Sequence, residues 1–137
     1  IDAFKLYMLD IGLLCSLGEI DSKIILDKNK ILVEFKGALT EQFVCQQLKC
    51  YGKRNLFYWS AETGKAEVDF IIQHENTVIP IEVKAEDNLQ SKSLKSYQDK
   101  FSPSFSIKTS MNKYKEEATL TNVPLYGIAD FQIILKD

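Results

Sequence analysis

The chain has 137 residues, 45% of them hydrophobic, and a formal net charge of −2. This length suits a single domain, 1–137, with one hydrophobic core, and the apolar fraction argues against disorder. No apolar run approaches the roughly 20 residues that a membrane span needs, and no secretory signal opens the chain, so we expect no membrane association. The slightly acidic balance gives no global indication of nucleic-acid binding.

The first part of the chain predicts two helices. Asp10 is a suitable N-cap for a short helix over 11–17. Residues 19–36 are weakly patterned, and we expect loop and helix edge there. An apolar stripe at helical spacing then predicts a second helix over 37–51.

A strand over 56–60 and a hairpin follow. Residues 65–86 alternate apolar and polar side chains on both sides of Glu75 and Asn76, which predicts two strands joined by a tight turn. The implied cross-strand pairs are Ile72–Ile79, Phe70–Ile81, Val68–Val83 and Ala66–Ala85. One face of this ribbon is wholly apolar, and a slip of one residue would destroy that face.

The same register sets Asp69 opposite Glu82, and Glu67 opposite Lys84, on the other face. Two facing carboxylates destabilise a strand pair by roughly 0.2–1 kcal/mol. A divalent cation between them removes this penalty, because hard cations bind carboxylate oxygens. Lys84 stands two residues from Glu82 on the same face, so the pattern predicts a metal site suited to phosphate chemistry.

The remainder predicts a helix over 88–101, a strand over 105–108, and short terminal elements over 123–126 and 131–135. The order helix, strand, hairpin, helix, strand predicts an α/β sandwich, with a mixed central sheet flanked by helices. No glycine-rich phosphate loop occurs, so we expect no nucleotide cofactor in this chain.

The segment between Asn88 and Lys115 is rich in lysine. It contains one acid, Asp99, against six lysines: Lys92, Lys95, Lys100, Lys108, Lys113 and Lys115. Two interpretations stay open. The lysines form either a solvated face or a phosphate-facing rim beside the hairpin.

The cysteines bear on the cellular compartment. Cys15, Cys45 and Cys50 are odd in number and form no C-x-x-C pair. We expect buried, reduced thiols and a cytoplasmic protein. A zinc site is disfavoured, because the sole histidine, His74, lies at the predicted hairpin tip.

Four short motifs follow one another along the chain: Lys-Leu-Tyr-Met-Leu-Asp-Ile-Gly-Leu-Leu at 5–14, Gly-Ala-Leu-Thr-Glu-Gln-Phe-Val at 37–44, Glu-Val-Asp-Phe at 67–70 and Ile-Glu-Val-Lys at 81–84. In this order they resemble a prokaryotic domain of unknown function, family four-one-four-three, of the PD-(D/E)xK nuclease-like superfamily. The resemblance implies a restriction-endonuclease-like sandwich and an AAA-type ATPase domain upstream. The chain opens on Ile1, which fits a C-terminal fragment of such a longer protein.

The resemblance also implies a set of metal ligands. Asp69 and Glu82 would bind Mg²⁺ or Mn²⁺, helped by Glu41 from the helix over 37–51 and by the carbonyl of Val83. Glu41 has a second interpretation, as an acid near the helix N-terminus that favours the helix dipole. Both interpretations stay open.

Two functions remain as hypotheses. The first is a Mg²⁺-dependent nuclease acting on DNA or RNA, in which Lys84 holds or deprotonates the attacking water and stabilises charge on the phosphate. By superfamily analogy, Gln98 would also touch this site. The second is a catalytically silent binding or regulatory module of the ATPase. Nucleic acid and the upstream ATPase domain are therefore the expected partners, and the oligomeric state stays open.

Overall fold

A computed structural model describes residues 4–20, 33–51, 55–62, 64–85 and 91–134. Its helices and strands, in chain order, are α1 (Ile11–Leu17), α2 (Val33–Cys50), β1 (Phe57–Ser60), β2 (Glu67–His74), β3 (Thr77–Val83), α3 (Lys92–Phe101), β4 (Ser106–Ser110), β5 (Lys115–Glu116), β6 (Leu120–Pro124) and a terminal 3₁₀ helix (Leu125–Ile134). The predicted α/β class is confirmed.

The six strands form one mixed sheet in the order β1-β2-β3-β4-β6-β5. The strands β1, β2 and β3 run antiparallel to one another, whereas β4 lies parallel to both β3 and β6. The short strand β5 pairs antiparallel with β6 at one edge. The sequence did not predict β5, because two residues are too few to show a strand period.

Helices cover both faces of this sheet. On one face, α2 contributes Val44 and Leu48 to the main core, together with Phe70, Ile72, Ile79, Ile81, Val83, Ile107, Val123 and Ile128. On the other face, Leu94 and Tyr97 of α3 form a smaller core with Val68 and Trp59. Trp59 meets Tyr97 edge to face at 5.4 Å, so this tryptophan serves packing, as favourable aromatic pairs do.

The predicted hairpin register is confirmed between Phe70 and His74. Phe70 pairs with Ile81, and Ile72 pairs with Ile79. The predicted apolar face is nevertheless wrong at Val68. This residue was expected beside Phe70, but it packs in the α3 core.

A β-bulge in β2 explains the error. The register between β1 and β2 shifts by one residue, so that Tyr58 of β1 faces both Asp69 and Phe70. An extra residue reverses the alternation of side chains beyond it. Val68 and Ile71 therefore belong to the same core, although strict alternation separates them.

Several predicted boundaries also change. The helix α2 begins at Val33, inside the stretch 19–36 that lacks a clear pattern. The strand β4 extends to Ser110, beyond the predicted 105–108. The expectations for 21–32 and for the helix start at 88–90 lie outside the described residues.

The N-terminal helix and the cysteines complete the fold. Asp10 caps α1 as predicted, because its Oδ1 accepts the Leu13 N–H at 2.8 Å. All three cysteines are free thiols; Cys45 is buried, but Cys50 is exposed, so its predicted burial is wrong. No helix in the described part of the chain has the length and apolarity to cross a bilayer.

Candidate functional site

The bulge places Asp69 where the pairing of β2 with β3 ends. Backbone pairing reaches Phe70 opposite Ile81. Just beyond, the Val83 N–H donates to Asp69 Oδ2 at 2.8 Å. Hydrogen bonds to an ionised carboxylate are short and strong, so this bond fixes the Asp69 side chain between the two strands.

Glu82 on β3 forms an ion pair with Lys84, the residue directly after this strand. Glu82 is only 3% exposed, and its Oε1 lies 2.7 Å from Lys84 Nζ. The Lys84 N–H donates to the Thr109 carbonyl at 2.9 Å, which ties this end of β3 to β4. Glu82 Oε2 is buried without a hydrogen-bond partner among the described residues. Such an oxygen in a native fold calls for an explanation, and an ion is one of the usual ones.

Lys5 is the functional-site residue that the sequence reasoning missed. Its ammonium lies 2.7 Å from Glu67 Oε1, 3.4 Å from Asp69 Oδ1 and 3.4 Å from Glu41 Oε2. It also stands over the Tyr58 ring at 5.7 Å. Lys5 thus contacts two of the three carboxylates that the sequence assigns to a metal. The one signal for it is its place at the start of the first motif.

Gln42 of α2 attaches the segment 4–8 that carries Lys5. The Met8 N–H donates to Gln42 Oε1 at 2.8 Å, and Gln42 Nε2 donates to the Met8 carbonyl at 2.9 Å. This buried amide therefore bonds Met8 as a neighbouring strand would. The Tyr7 hydroxyl adds a 3.4 Å hydrogen bond to Glu41, and its ring lies 5.6 Å from Phe70.

Glu41, Asp69 and Glu82, hereafter the carboxylate cluster, influence one another through charge. Burial, then the Asp69 charge, raises the pKa of Glu82 to about 7, while Lys84 opposes the shift. Burial and the Asp69 charge also raise the pKa of Glu41. Burial raises the pKa of Asp69, while the hydrogen bond from the Val83 N–H and the charge of Lys5 act to lower it. The three carboxylates therefore behave as one electrostatic group.

Lys5 remains charged in this setting. Burial by itself lowers its pKa, but the hydrogen bond to Glu67 and the charges of Asp69 and Glu41 together raise it above the ordinary value. The permanently charged ammonium of Lys5 therefore balances part of the negative charge of the carboxylate cluster. Glu67, predicted to face Lys84, binds Lys5 instead.

These contacts decide whether the cluster fits a metal. Within the described residues, no three Asp, Glu, His or Cys side chains lie close enough together to hold an ion. The donors are nonetheless hard carboxylate oxygens, and one of them, Glu82 Oε2, is buried and lacks a partner. The Lys5 ammonium is a stand-in cation beside Asp69 and Glu41. The donor atoms are of the kind that Mg²⁺ and Mn²⁺ prefer, but as they are placed no three of the described side chains form a metal site.

A cavity of about 680 Å³ opens beside this cluster. Lys5 and Asp69 line it, together with apolar side chains such as Phe57 and Phe70. Its size lies within the range of small-molecule sites. A ligand in this cavity would therefore lie against Asp69.

Gln98 lies on α3 and bonds to β4. Its amide donates to Ser106 Oγ at 3.1 Å. The structure thus uses Gln98 to join α3 to the sheet. The analogy that places it at the site stays a prediction.

By its fold, this protein is a mixed α/β domain. Its candidate site consists of carboxylates and a lysine near the point where the pairing of β2 with β3 ends. Residues 36–128 match the profile of the domain of unknown function DUF4143. The match spans more than half of the chain, so the chain belongs to this family. No curated protein matches the chain.

Proposed function

We propose that the domain is a metal-dependent phosphodiesterase that hydrolyses DNA or RNA, built on a restriction-endonuclease-like core behind an ATPase domain. The mixed sheet with helices on both faces supports this fold. The main observation in support of the proposed activity concerns Glu82. One oxygen of this buried carboxylate binds Lys84, and the other has no hydrogen-bond partner among the described residues.

Each residue of the cluster has a role in this proposal. Asp69, Glu82, Glu41 and the carbonyl of Val83 would hold Mg²⁺ or Mn²⁺. The ion supplies Lewis-acid polarisation of a phosphoryl oxygen and a more acidic water. Lys5 must leave Asp69 and Glu41 first, because two cations cannot share these oxygens closely.

In this proposal, Lys84 acts on the reacting phosphate. Its side chain is 31% exposed, so the ammonium reaches solvent while Glu82 holds it at 2.7 Å. From there it orients the attacking water and stabilises the negative charge that develops on the phosphate. A fixed donor of this kind contributes about 10²–10³-fold to the rate.

A second function, a silent binding or regulatory module of the upstream ATPase, has its own supporting observation. Lys5 provides a positive charge to Glu41, Glu67 and Asp69 without any metal. A domain whose carboxylates are neutralised by a lysine in this way keeps its fold without a bound metal ion. The two functions therefore differ in whether a metal ion displaces Lys5 from Asp69 and Glu41.

A cleavage assay separates the two functions. The chain, alone and joined to its ATPase domain, is incubated with Mg²⁺ or Mn²⁺ on single- and double-stranded DNA and RNA. We expect Lys84→Ala to lower cleavage at least about a hundredfold. The matched control, Lys95→Ala, removes an exposed lysine of α3 and should retain activity. Wild type that cuts no substrate better than Lys84→Ala would establish the silent module instead.

A further inference from the structure

The far half of the sheet carries another, smaller cavity, of about 80 Å³. Three lysines line it, and we call this feature the lysine pocket: Lys108, Lys113 and Lys115, with Asn112, Glu117, Leu120 and Asn122. This volume is about that of two to three water molecules in liquid water. It suits a small ionic group rather than a nucleobase or an amino-acid side chain. Among the described residues that line it, Glu117 is the one acid, and it pairs with Lys115 at 2.7 Å.

The lysine pocket is connected to the carboxylate cluster through the sheet. Glu82 on β3 pairs with Lys108 on β4, Lys108 with Asn122 on β6, and Asn122 with Lys115 on β5. Side chains of residues directly opposite each other share a face. Since neighbouring strands lie about 4.8 Å apart, the row runs from Glu82 to Lys115 over roughly 14 Å.

Asn122 makes the pocket a prearranged site. This buried amide accepts a hydrogen bond from Ser110 Oγ at 2.7 Å. It also donates to the carbonyls of Asn112 at 3.3 Å and Lys113 at 2.9 Å. The loop that carries Lys113 is therefore fixed to β6 before any ligand arrives.

The charges around Lys108 favour an anion. Lys108 is 7% exposed, and burial lowers its pKa, as do the positive charges of Lys115 and Lys84. Glu117 opposes that shift. An anion among these ammonium groups would relieve their mutual repulsion.

We propose that the lysine pocket binds a backbone phosphate of the nucleic acid, one that flanks the phosphate at Lys84. The proposal rests on the proposed function, since Glu82, which binds Lys84, begins the row that ends at Lys115. A phosphate group matches the small cavity and its excess of ammonium donors, which bind phosphate as point charges. A strand that runs from Lys84 toward β5 would present a flanking phosphate to the exposed lysines Lys113 and Lys115.

Binding is measured separately from cleavage. A fluorescent single-stranded DNA of about a dozen nucleotides is titrated with the chain in EDTA, and the anisotropy is followed between 50 and 200 mM salt. Lys113→Gln/Lys115→Gln is compared with Lys92→Gln/Lys95→Gln, which removes the same charge from the exposed side of α3. Both pairs are exposed, so circular dichroism should show intact folds.

We expect the pocket variant to bind about tenfold more weakly and the α3 variant less than twofold. The slope of log K against log salt should shrink by about 0.7 for each phosphate of the single strand that the variant no longer neutralises. Equal weakening by both variants, or no weakening by the pocket variant, overturns the proposal. Inorganic phosphate that binds as tightly as the oligonucleotide overturns the nucleic-acid assignment.

The outcomes separate this subsite from the proposed function. Binding that depends on the pocket, without any cleavage by wild type, supports the subsite and refutes the nuclease. Cleavage that Lys84→Ala abolishes, with a KM unchanged in the pocket variant, supports the nuclease and refutes the subsite.

Discussion

The carboxylate cluster and the lysine pocket lie on one sheet but differ in how their charge is balanced. The cluster has a cation of its own, because Lys5 lies 3.4 Å from both Asp69 and Glu41. In the described part of the chain, the pocket gathers three lysines around one acid. In the two proposals, the pocket would accept an anion directly, whereas the cluster would accept a metal only after Lys5 leaves.

The two regions also differ in burial, and burial decides the energy of each contact. The Glu82 side chain is 4% exposed, whereas those of Lys115 and Glu117 are 72% and 53% exposed. Exposed ion pairs contribute little, since water already solvates both charges. Breaking a buried pair leaves a charge that neither water nor protein solvates. Mutations in the cluster should therefore affect stability, and mutations of the exposed pocket lysines, Lys113 and Lys115, should affect binding.

The largest expected effect is the pH dependence that Glu82 imposes on stability. Its pKa of about 7 in the folded chain lies above the ordinary 4.5. Between these values the folded state binds more protons, so the free energy of unfolding falls as pH rises from 4.5 to 7 and then levels off. The loss attributable to Glu82 is on the order of 3 kcal/mol. Urea denaturation of wild type and Glu82→Gln between pH 4 and 8 measures it.

Glu82→Gln should gain stability relative to wild type as pH rises through this window. Asp69 and Glu41 also have raised pKa values, so some dependence of the same sign persists in the variant. The control, Glu75→Gln at the exposed hairpin tip, should follow wild type. If Glu82→Gln keeps the full wild-type pH profile, Glu82 is not a buried carboxylate beside Asp69.

The sequence predicted the hairpin register because the alternation around Glu75 and Asn76 is local. It did not predict the bulge at Asp69 and Phe70, because the bulge depends on how β2 pairs with β1, which the hairpin pattern does not contain. Lys5 was not predicted as a site residue, because its contacts are also made outside any local pattern. It meets Asp69 across 64 positions of sequence, and no local period marks such a contact.

The lysine-rich segment shows a related limit. Counting charges along 88–115 treats six lysines as one feature. The structure divides them, since Lys92, Lys95 and Lys100 lie exposed on α3 while Lys108, Lys113 and Lys115 meet at the pocket. Sheet pairing, which linear composition does not contain, brings the last three together.

Next in size is the effect of removing the resident cation. Lys5→Met should destabilise the metal-free chain by about 2 kcal/mol, less than the 3–5 kcal/mol of a fully buried pair. Glu67 and Glu41 are 47% and 32% exposed, so water screens part of the loss. Mg²⁺ should then raise the melting temperature of Lys5→Met more than that of wild type, because no ammonium has to leave.

Thermal melts in EDTA and in millimolar Mg²⁺ test this exchange. Lys49→Met, which removes an exposed lysine from the last turn of α2, controls for net charge. An equal Mg²⁺ response in wild type, Lys5→Met and Lys49→Met would mean that Lys5 and the metal do not compete. No response in any of them would favour the silent module.

The smallest expected effect lies in the lysine pocket. Lys115→Gln removes the 2.7 Å ion pair with Glu117, but both side chains are exposed, and exposed pairs are weak and screened by salt. We expect its melting temperature to stay within about 2 °C of wild type, given the usual dependence of melting temperature on stability in a domain of this size. The same variant should nevertheless bind the oligonucleotide more weakly. A melting temperature that falls as far as that of Lys5→Met would show that Lys115 supports the fold, and the contrast between a structural cation at Lys5 and a ligand-binding cation at Lys115 would disappear.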